Sequence, residues 1–216
     1  MDELNLRRSM NINPPIKEHL IIGGTGRAGT TMLVQLLTTL GFETGFTPEE
    51  ANNKVDPISH AGLEHHLSDP NLPYVIKSPW FSEQIGDALQ NHRIKLAAAI
   101  VPVRNLYSAA ASRRRVFEEA QRQGLNPKAH PGSLWKVENP EDQEAALAVE
   151  FYQFVYPLIA NGIPMYFLHF PKFVMDPKYC FDALQPIFES HGVTRDAALA
   201  AHAKVSRVEY VHQFDR

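Results

Sequence analysis

The chain has 216 residues, enough for one sizeable core, and its 44% hydrophobic and 21% charged residues are those of an ordinary globular protein. A formal net charge of −3 gives no general attraction to nucleic acid or to an anionic membrane, so any anion site must come from local placement of cations. The single cysteine, Cys180, excludes an internal disulfide and fits a reducing compartment.

The first 18 residues, MDELNLRRSMNINPPIKE, are polar and read as a loose leader, with 19–216 as one α/β domain. No segment has signal-peptide character or approaches the roughly 18 apolar residues of a membrane span. The expectation is a cytoplasmic protein without a membrane or nucleic-acid partner. HLIIGG reads as a buried strand. Thr30 to Leu40 follows as a helix carrying Met32, Leu33, Leu36, Leu37 and Leu40 on one face, stopped by Gly41. From Glu43 to Pro73 the chain is rich in Pro, Asn, Asp and His, which predicts loops and short helices. YVIK and LAAAIVPV are the next strands. A helix from Asn105 to about Gln123 leads into a Gly/Pro-rich connection, Gly124 to Pro140, long enough to form a lid. A helix from about Glu141 to Ile159, the strand MYFLHF and a helix after Asp176-Pro177 complete the pattern. Strands alternating with helices argue for a three-layer α/β fold, P-loop-like, with a central parallel sheet flanked by helices.

The stretch GGTGRAGTT fits two phosphate-binding patterns at once. Gly24, Gly26 and Gly29 spell GxGxxG, but the dinucleotide reading needs a second strand ending in an acidic residue, and GFETGFTPEEANN is not an apolar strand. Gly24 and Gly29 also bracket a P-loop, GxxxxGK[ST], with Thr30 where the lysine belongs. Glycine-rich backbone at a helix N-terminus is an anion cradle in either case, and Thr30 and Thr31 add hydroxyls. A nucleoside triphosphatase also wants a strand-end aspartate for magnesium. Here the candidate strands end in Lys77 and Arg104, so the pattern points to an anion held by side-chain charge with no metal site.

With these residues in place the chain resembles the sulfotransferases that use 3′-phosphoadenosine 5′-phosphosulfate (PAPS). GTGRAGTT is similar to their 5′-phosphosulfate loop, a basic residue followed by [SA]GTT, with Arg27 as the basic residue. Arg104 followed eight positions later by Ser112 matches the pair that clasps the 3′-phosphate. YVIKSP resembles the strand that carries a lysine toward the sulfuryl group, in the Lys-Ser-Pro form of bacterial and carbohydrate-type members. MYFLHFPKFVMDPKYCFDALQPIF resembles their later strand, loop and Asp-Pro helix. The resemblance implies a cofactor cradle of Gly26, Arg27, Ala28, Gly29, Thr30 and Thr31 with Arg104 and Ser112. It implies catalytic charges at Lys77 and Arg27, PAPS as co-substrate, 3′,5′-ADP as product, and a small-molecule or carbohydrate acceptor.

The chain departs from that family in three places. Pro79 stands where cytosolic members put a histidine base, so the base is sought in ISHAGLEHHLSD, among His60, Glu64, His65, His66 and Asp69, with Glu64, His65 and His66 as the catalytic candidates. Met32 stands where many members place a tryptophan against adenine. The C-terminal Arg-Lys-Gly is absent, leaving Lys204 and Arg207. Arg113, Arg114 and Arg115 are expected to face solvent with at most one turned inward, and Trp80 and Trp135 to pack in the core or lid. A kinase or nucleotide hydrolase with a degenerate loop, and a non-catalytic nucleotide-binding protein, remain open beside the sulfotransferase reading; the acceptor and the oligomeric state are not readable.

Overall fold

The computed structural model describes residues 17–212 and 214. The expected leader lies outside them except for Lys17 and Glu18, and Glu18 already opens the first strand. Four strands, β1 (Glu18–Ile22), β2 (Val75–Lys77), β3 (Lys95–Val103) and β4 (Met165–His169), form one sheet in the order β2-β1-β3-β4. All pairings are parallel, which requires crossovers between successive strands.

Those crossovers are helical, as the alternating periods predict: α1 (Thr30–Thr39), α2 (Pro48–Asn53), α3 (Phe81–Gln90), α4 (Leu106–Arg122) and α5 (Gln143–Ala160), with α6 (Lys172–Met175), α7 (Pro177–Ser190) and α8 (Arg195–Val205) after β4. Residues on alternate sides of the strands bury against different layers. Leu20, Ile22, Ile100 and Leu168 pack with α1, α6, α7 and α8, while Ile21, Ile76, Ala99 and Val101 pack with α3 and α5. The fold is therefore the expected three-layer α/β arrangement. Local chemistry fixes its boundaries. The Asn105 side chain caps α4 by accepting from the Ser108 N–H at 3.1 Å, and Asp176 caps α7 in front of Pro177 by accepting from Tyr179 at 3.0 Å. Helices α3, α6 and α8 lie outside the sequence-based expectation.

Proline in a central strand normally removes a ladder bond, yet β3 contains Pro102. The register explains why it is tolerated. β1 ends at Ile22 opposite Ile100, so β3 runs on past it, and the side of Pro102 that lacks a donor faces the loop after β1. A Cβ on Gly24 would stand 3.0 Å from the Pro102 carbonyl, which shows how closely that loop passes.

Gly23 follows β1 directly, and a Cβ there would fall 2.6 Å from Cζ of Phe154, which is itself stacked on Phe81 with centroids 5.9 Å apart. The floor of the loop is thus an aromatic wedge from α5. Phe154→Ala should cost about 3–5 kcal/mol of unfolding free energy in urea titrations, because the cavity opens beneath backbone that cannot move inward without disturbing β1. A cost below about 1 kcal/mol would show that the wedge does not support the loop.

Candidate active site

The loop from Gly23 to Gly29 joins β1 to α1, and the first turn of α1 has neither an acidic residue nor a side-chain cap. Its N-terminal N–H groups are therefore presented to the space in front of the loop, where the helix dipole favours an anion. That space is a cavity of about 740 Å³ at the C-terminal ends of the strands, the usual location for ligands in parallel α/β sheets. Gly26, Arg27, Gly29, Thr30, Thr31, Lys77, Arg104 and Ser112, all expected at the site, line it. Ala28 does not: its methyl is buried in the core beside α1.

Gly29 caps α1 at φ 76°, a left-handed conformation, and a Cβ there would lie 2.7 Å from Cζ of Phe173. Its missing side chain therefore faces the core under the loop, and not the cradle. Gly26, at φ 68°, is held open by a different neighbour, since a Cβ would sit 2.6 Å from Nη2 of Arg113.

Three arginines converge on the cavity. Arg27 donates from Nε to Ser112 Oγ at 3.2 Å and from Nη1 to the Ser59 carbonyl. Arg104 donates to the Arg27 carbonyl at 2.8 Å and to the His212 carbonyl, with its guanidinium 4.8 Å from the Phe170 ring centroid. Arg113 donates to the carbonyls of Ser133 at 2.7 Å and Thr25 at 3.1 Å. Among the described residues none of the three forms an ion pair, although Arg114 beside them is paired with Glu144 at 2.6 Å. Burial, then the positive charges of Arg113, Arg104 and Arg115, push Arg27 down to about 9; burial brings Arg104 and Arg113 to about 10. All three remain charged at neutral pH, at an energetic cost that an anion in the cavity would offset. The expectation of solvent-facing arginines after Ser112 is thus corrected. Arg113 is buried, Arg114 and Arg115 are half-buried, and Nε of both Arg113 and Arg115 is enclosed without a partner.

Lys77 ends β2, fully enclosed, and its ammonium donates to Thr31 Oγ1 at 3.1 Å, Glu64 Oε1 at 2.6 Å and the Gly62 carbonyl at 2.5 Å. Burial lowers its pKa, while the Glu64 charge opposes that shift. Glu64 is brought there because the next residue's N–H, that of His65, donates to the Lys77 carbonyl at 2.8 Å, laying this segment along the end of β2. Of the candidate bases, Glu64 and His60 line the cavity. His65 and His66 do not. His65 is turned toward Phe46, with ring centroids 5.2 Å apart, and burial lowers its pKa; His66 stacks on Trp80 at 4.0 Å. Asp69 caps the same turn by accepting from the His66 N–H at 2.8 Å.

The Gly124–Pro140 connection does cover the cavity, through Lys128 to Trp135. It is pinned by Arg113 to Ser133, by Gln143 to both backbone groups of Trp135, and by His130 Nε2 to Asp56 Oδ1 at 3.1 Å. Asp56 and His130 are 74 residues apart, and no local pattern marks them as partners. Asp56 also accepts from Ser59 N and Oγ, at 2.6 and 2.7 Å. Arg207 lines the opposite rim, Lys204 lies outside it, and Met32 faces the cavity. Among the described residues no three His, Cys, Asp or Glu side chains gather where they could share a metal ion.

Gly29→Ala should destabilise the protein by about 2–3 kcal/mol, since the methyl meets both a left-handed backbone and the Phe173 ring. Phe173→Leu in the same chain should recover part of that loss, measured as a non-additive double-mutant cycle in urea. Strict additivity would show that the glycine is required by the cradle alone.

No protein-family model and no curated protein matches the chain. Among solved structures, the sulfotransferase domain from the Synechococcus PCC 7002 olefin synthase aligns with 91% of this chain and 84% of its own, at 17% identity and a TM-score of 0.42. At that similarity the chemistry has to be argued from the residues themselves.

Proposed function

We propose that the chain is a sulfotransferase that moves the sulfuryl group of PAPS to a hydroxyl or amine of a small-molecule or carbohydrate acceptor. The observation that carries this reading is the set of three arginines around a glycine loop, Arg104 and Arg113 buried and Arg27 half-buried, bonded to carbonyls and a hydroxyl but to no carboxylate. Such a set suits a ligand with several phosphate-type charges. In this reading the α1 N-terminus, Arg27, Thr30 and Thr31 take the 5′-phosphosulfate, and Arg104 with Ser112 takes the 3′-phosphate.

The chemistry then needs positioning and charge more than covalent help. The acceptor lone pair forms a new bond to sulfur while the bond from sulfur to the 5′-phosphate oxygen breaks in line. The acceptor proton passes to Glu64, and 3′,5′-ADP leaves with the bonding electrons. Lys77, already between Thr31 and Glu64, supplies its ammonium to the bridging oxygen as negative charge grows there. Glu64 is the base because it is the candidate carboxylate held against that lysine. The runner-up reading, a kinase or hydrolase with a degenerate loop, differs in requiring magnesium and a nucleoside triphosphate.

Two measurements test this reading. 3′,5′-ADP should bind without magnesium and much more tightly than 5′-AMP in calorimetry, and Arg104→Ala should weaken it roughly ten- to a hundredfold, the scale of one buried guanidinium contact to phosphate. Equal affinity for the two nucleotides would remove the 3′-phosphate assignment. Lys77→Ala should retain most of the 3′,5′-ADP affinity yet lose roughly a hundredfold or more in sulfuryl transfer or in PAPS hydrolysis, because its contact strengthens in the transition state. Wild-type turnover in that variant would assign Lys77 a structural role.

A further inference from the structure

Helix α5 is apolar on two sides. One side buries Phe154 and Leu158 under the sheet beside α3, and Leu147 against Ala109 and Ala110 of α4. The other is in solvent: Val149 is 55% exposed, Tyr152 64%, Tyr156 56% and Ile159 60%. With exposed Ala145 these follow one another at spacings of four, three, four and three residues, the 3.5-residue period of a helix-pairing seam. The flanking positions Ala148, Gln153 and Ala160 are small or neutral, and α5 contains no lysine or arginine. Its two carboxylates are turned away, Glu144 held by Arg114 and Glu150 by Lys136 and Ser82. Ordinary surface helices put charge on their outer face, and this one has none there.

The neighbouring part of the sheet is bare in the same direction. β4 is an edge strand whose Tyr166 and Leu168 face the α1 side and whose Met165 faces the α5 side, so Phe167, 49% exposed, is also on the α5 side. Among the described helices α3 and α5 bury apolar faces on that side of the sheet, and Phe167 stays exposed there.

We propose that this face is a homodimer interface in which α5 pairs with α5 of a second copy. An uncharged heptad stripe can face itself without juxtaposing like charges, which an isologous contact demands. The alanines beside the tyrosines allow helix axes to approach to about 8–10 Å. At their fractional exposures the four stripe residues and Phe167 offer roughly 500 Å² of apolar surface per copy, about 1,000 Å² for the pair, which reaches the size a specific interface needs. A lipid surface suits the stripe poorly, since interfacial helices carry basic residues on their polar flank.

Light scattering coupled to gel filtration, and sedimentation equilibrium from about 1 to 200 μM, test this on the whole chain. The expected mass is twice 24.3 kDa in the wild type. Tyr152→Lys/Tyr156→Lys should weaken the dimer about a hundredfold or more while leaving far-ultraviolet dichroism near wild type, because both side chains are exposed in the single copy. Met175→Lys, at an exposed apolar residue on α6, should leave the dimer intact. A wild-type monomer at 200 μM overturns the proposal, whether or not that monomer binds lipid vesicles or another helical protein. A dimer that survives the double lysine variant also overturns it, by placing the contact elsewhere.

Discussion

The crowding of positive charge in front of the β1–α1 loop is the constraint around which the site is built. Arg104 and Arg113 are buried and Arg27 is half-buried; both repel Arg27, and none of the three has an ion-pair partner among the described residues. Buried cations must at least find hydrogen-bond acceptors, and here these are five carbonyls from four separate segments of the chain. The carbonyls of Ser59, Ser133, Thr25, Arg27 and His212 belong to the segment after α2, the lid, the loop itself and the C-terminal segment. Each guanidinium therefore ties a different segment to the β1–α1 loop. Electrostatic cost and loop order are one arrangement: the same planar donors that make the cavity attract anions hold its walls in place.

The sheet decides which cations can take part. β1 lies between β2 and β3, and its last residue, Ile22, is opposite both Lys77 and Ile100. Lys77 thus emerges level with the start of the loop, while β3 continues for three more residues before Arg104 appears beyond the loop's far side. The unequal strand lengths set two cations at different depths in one cavity, and Pro102 removes no ladder bond to β1 because β1 has already ended beside it.

Much of this was legible in sequence because it is local. The strand-loop-helix from Leu20 to Thr39, the strand-end Lys77 and the Arg104–Ser112 spacing each sit within one stretch whose period and residue types agree. Helix α3 was not legible: FSEQIGDALQ starts without a capping side chain and carries Gly86 in its middle, where Pro157 of α5 would lie 3.5 Å from a Cβ. That spacing is ordinary contact, but a glycine inside a helix weakens the local helical signal. Helix α8 carried a readable signal in Thr194, which caps it by accepting from Ala197 N–H, but its alanine-rich body has little amphipathic contrast. The outward turn of His65 and His66 follows from the bond between the His65 N–H and the Lys77 carbonyl, which presents Glu64 to the cavity. The Asp56–His130 pair depends on closure of the lid over a loop far away in sequence.

The position of Lys77 also accounts for Thr30 in the slot where a P-loop has its lysine. A lysine there would extend from the first turn of α1, beside the arginines, and add to their mutual repulsion. Supplied from β2, the ammonium reaches the same helix N-terminus through Thr31 Oγ1, yet it arrives already matched with Glu64. The cavity is thereby divided electrostatically. The arginine half has excess positive charge and is complementary to a polyanion, whereas the Lys77–Glu64 half is an ion pair with no net charge. Placing the lysine on the neighbouring strand thus keeps its charge matched with a carboxylate and apart from the arginines, which have none.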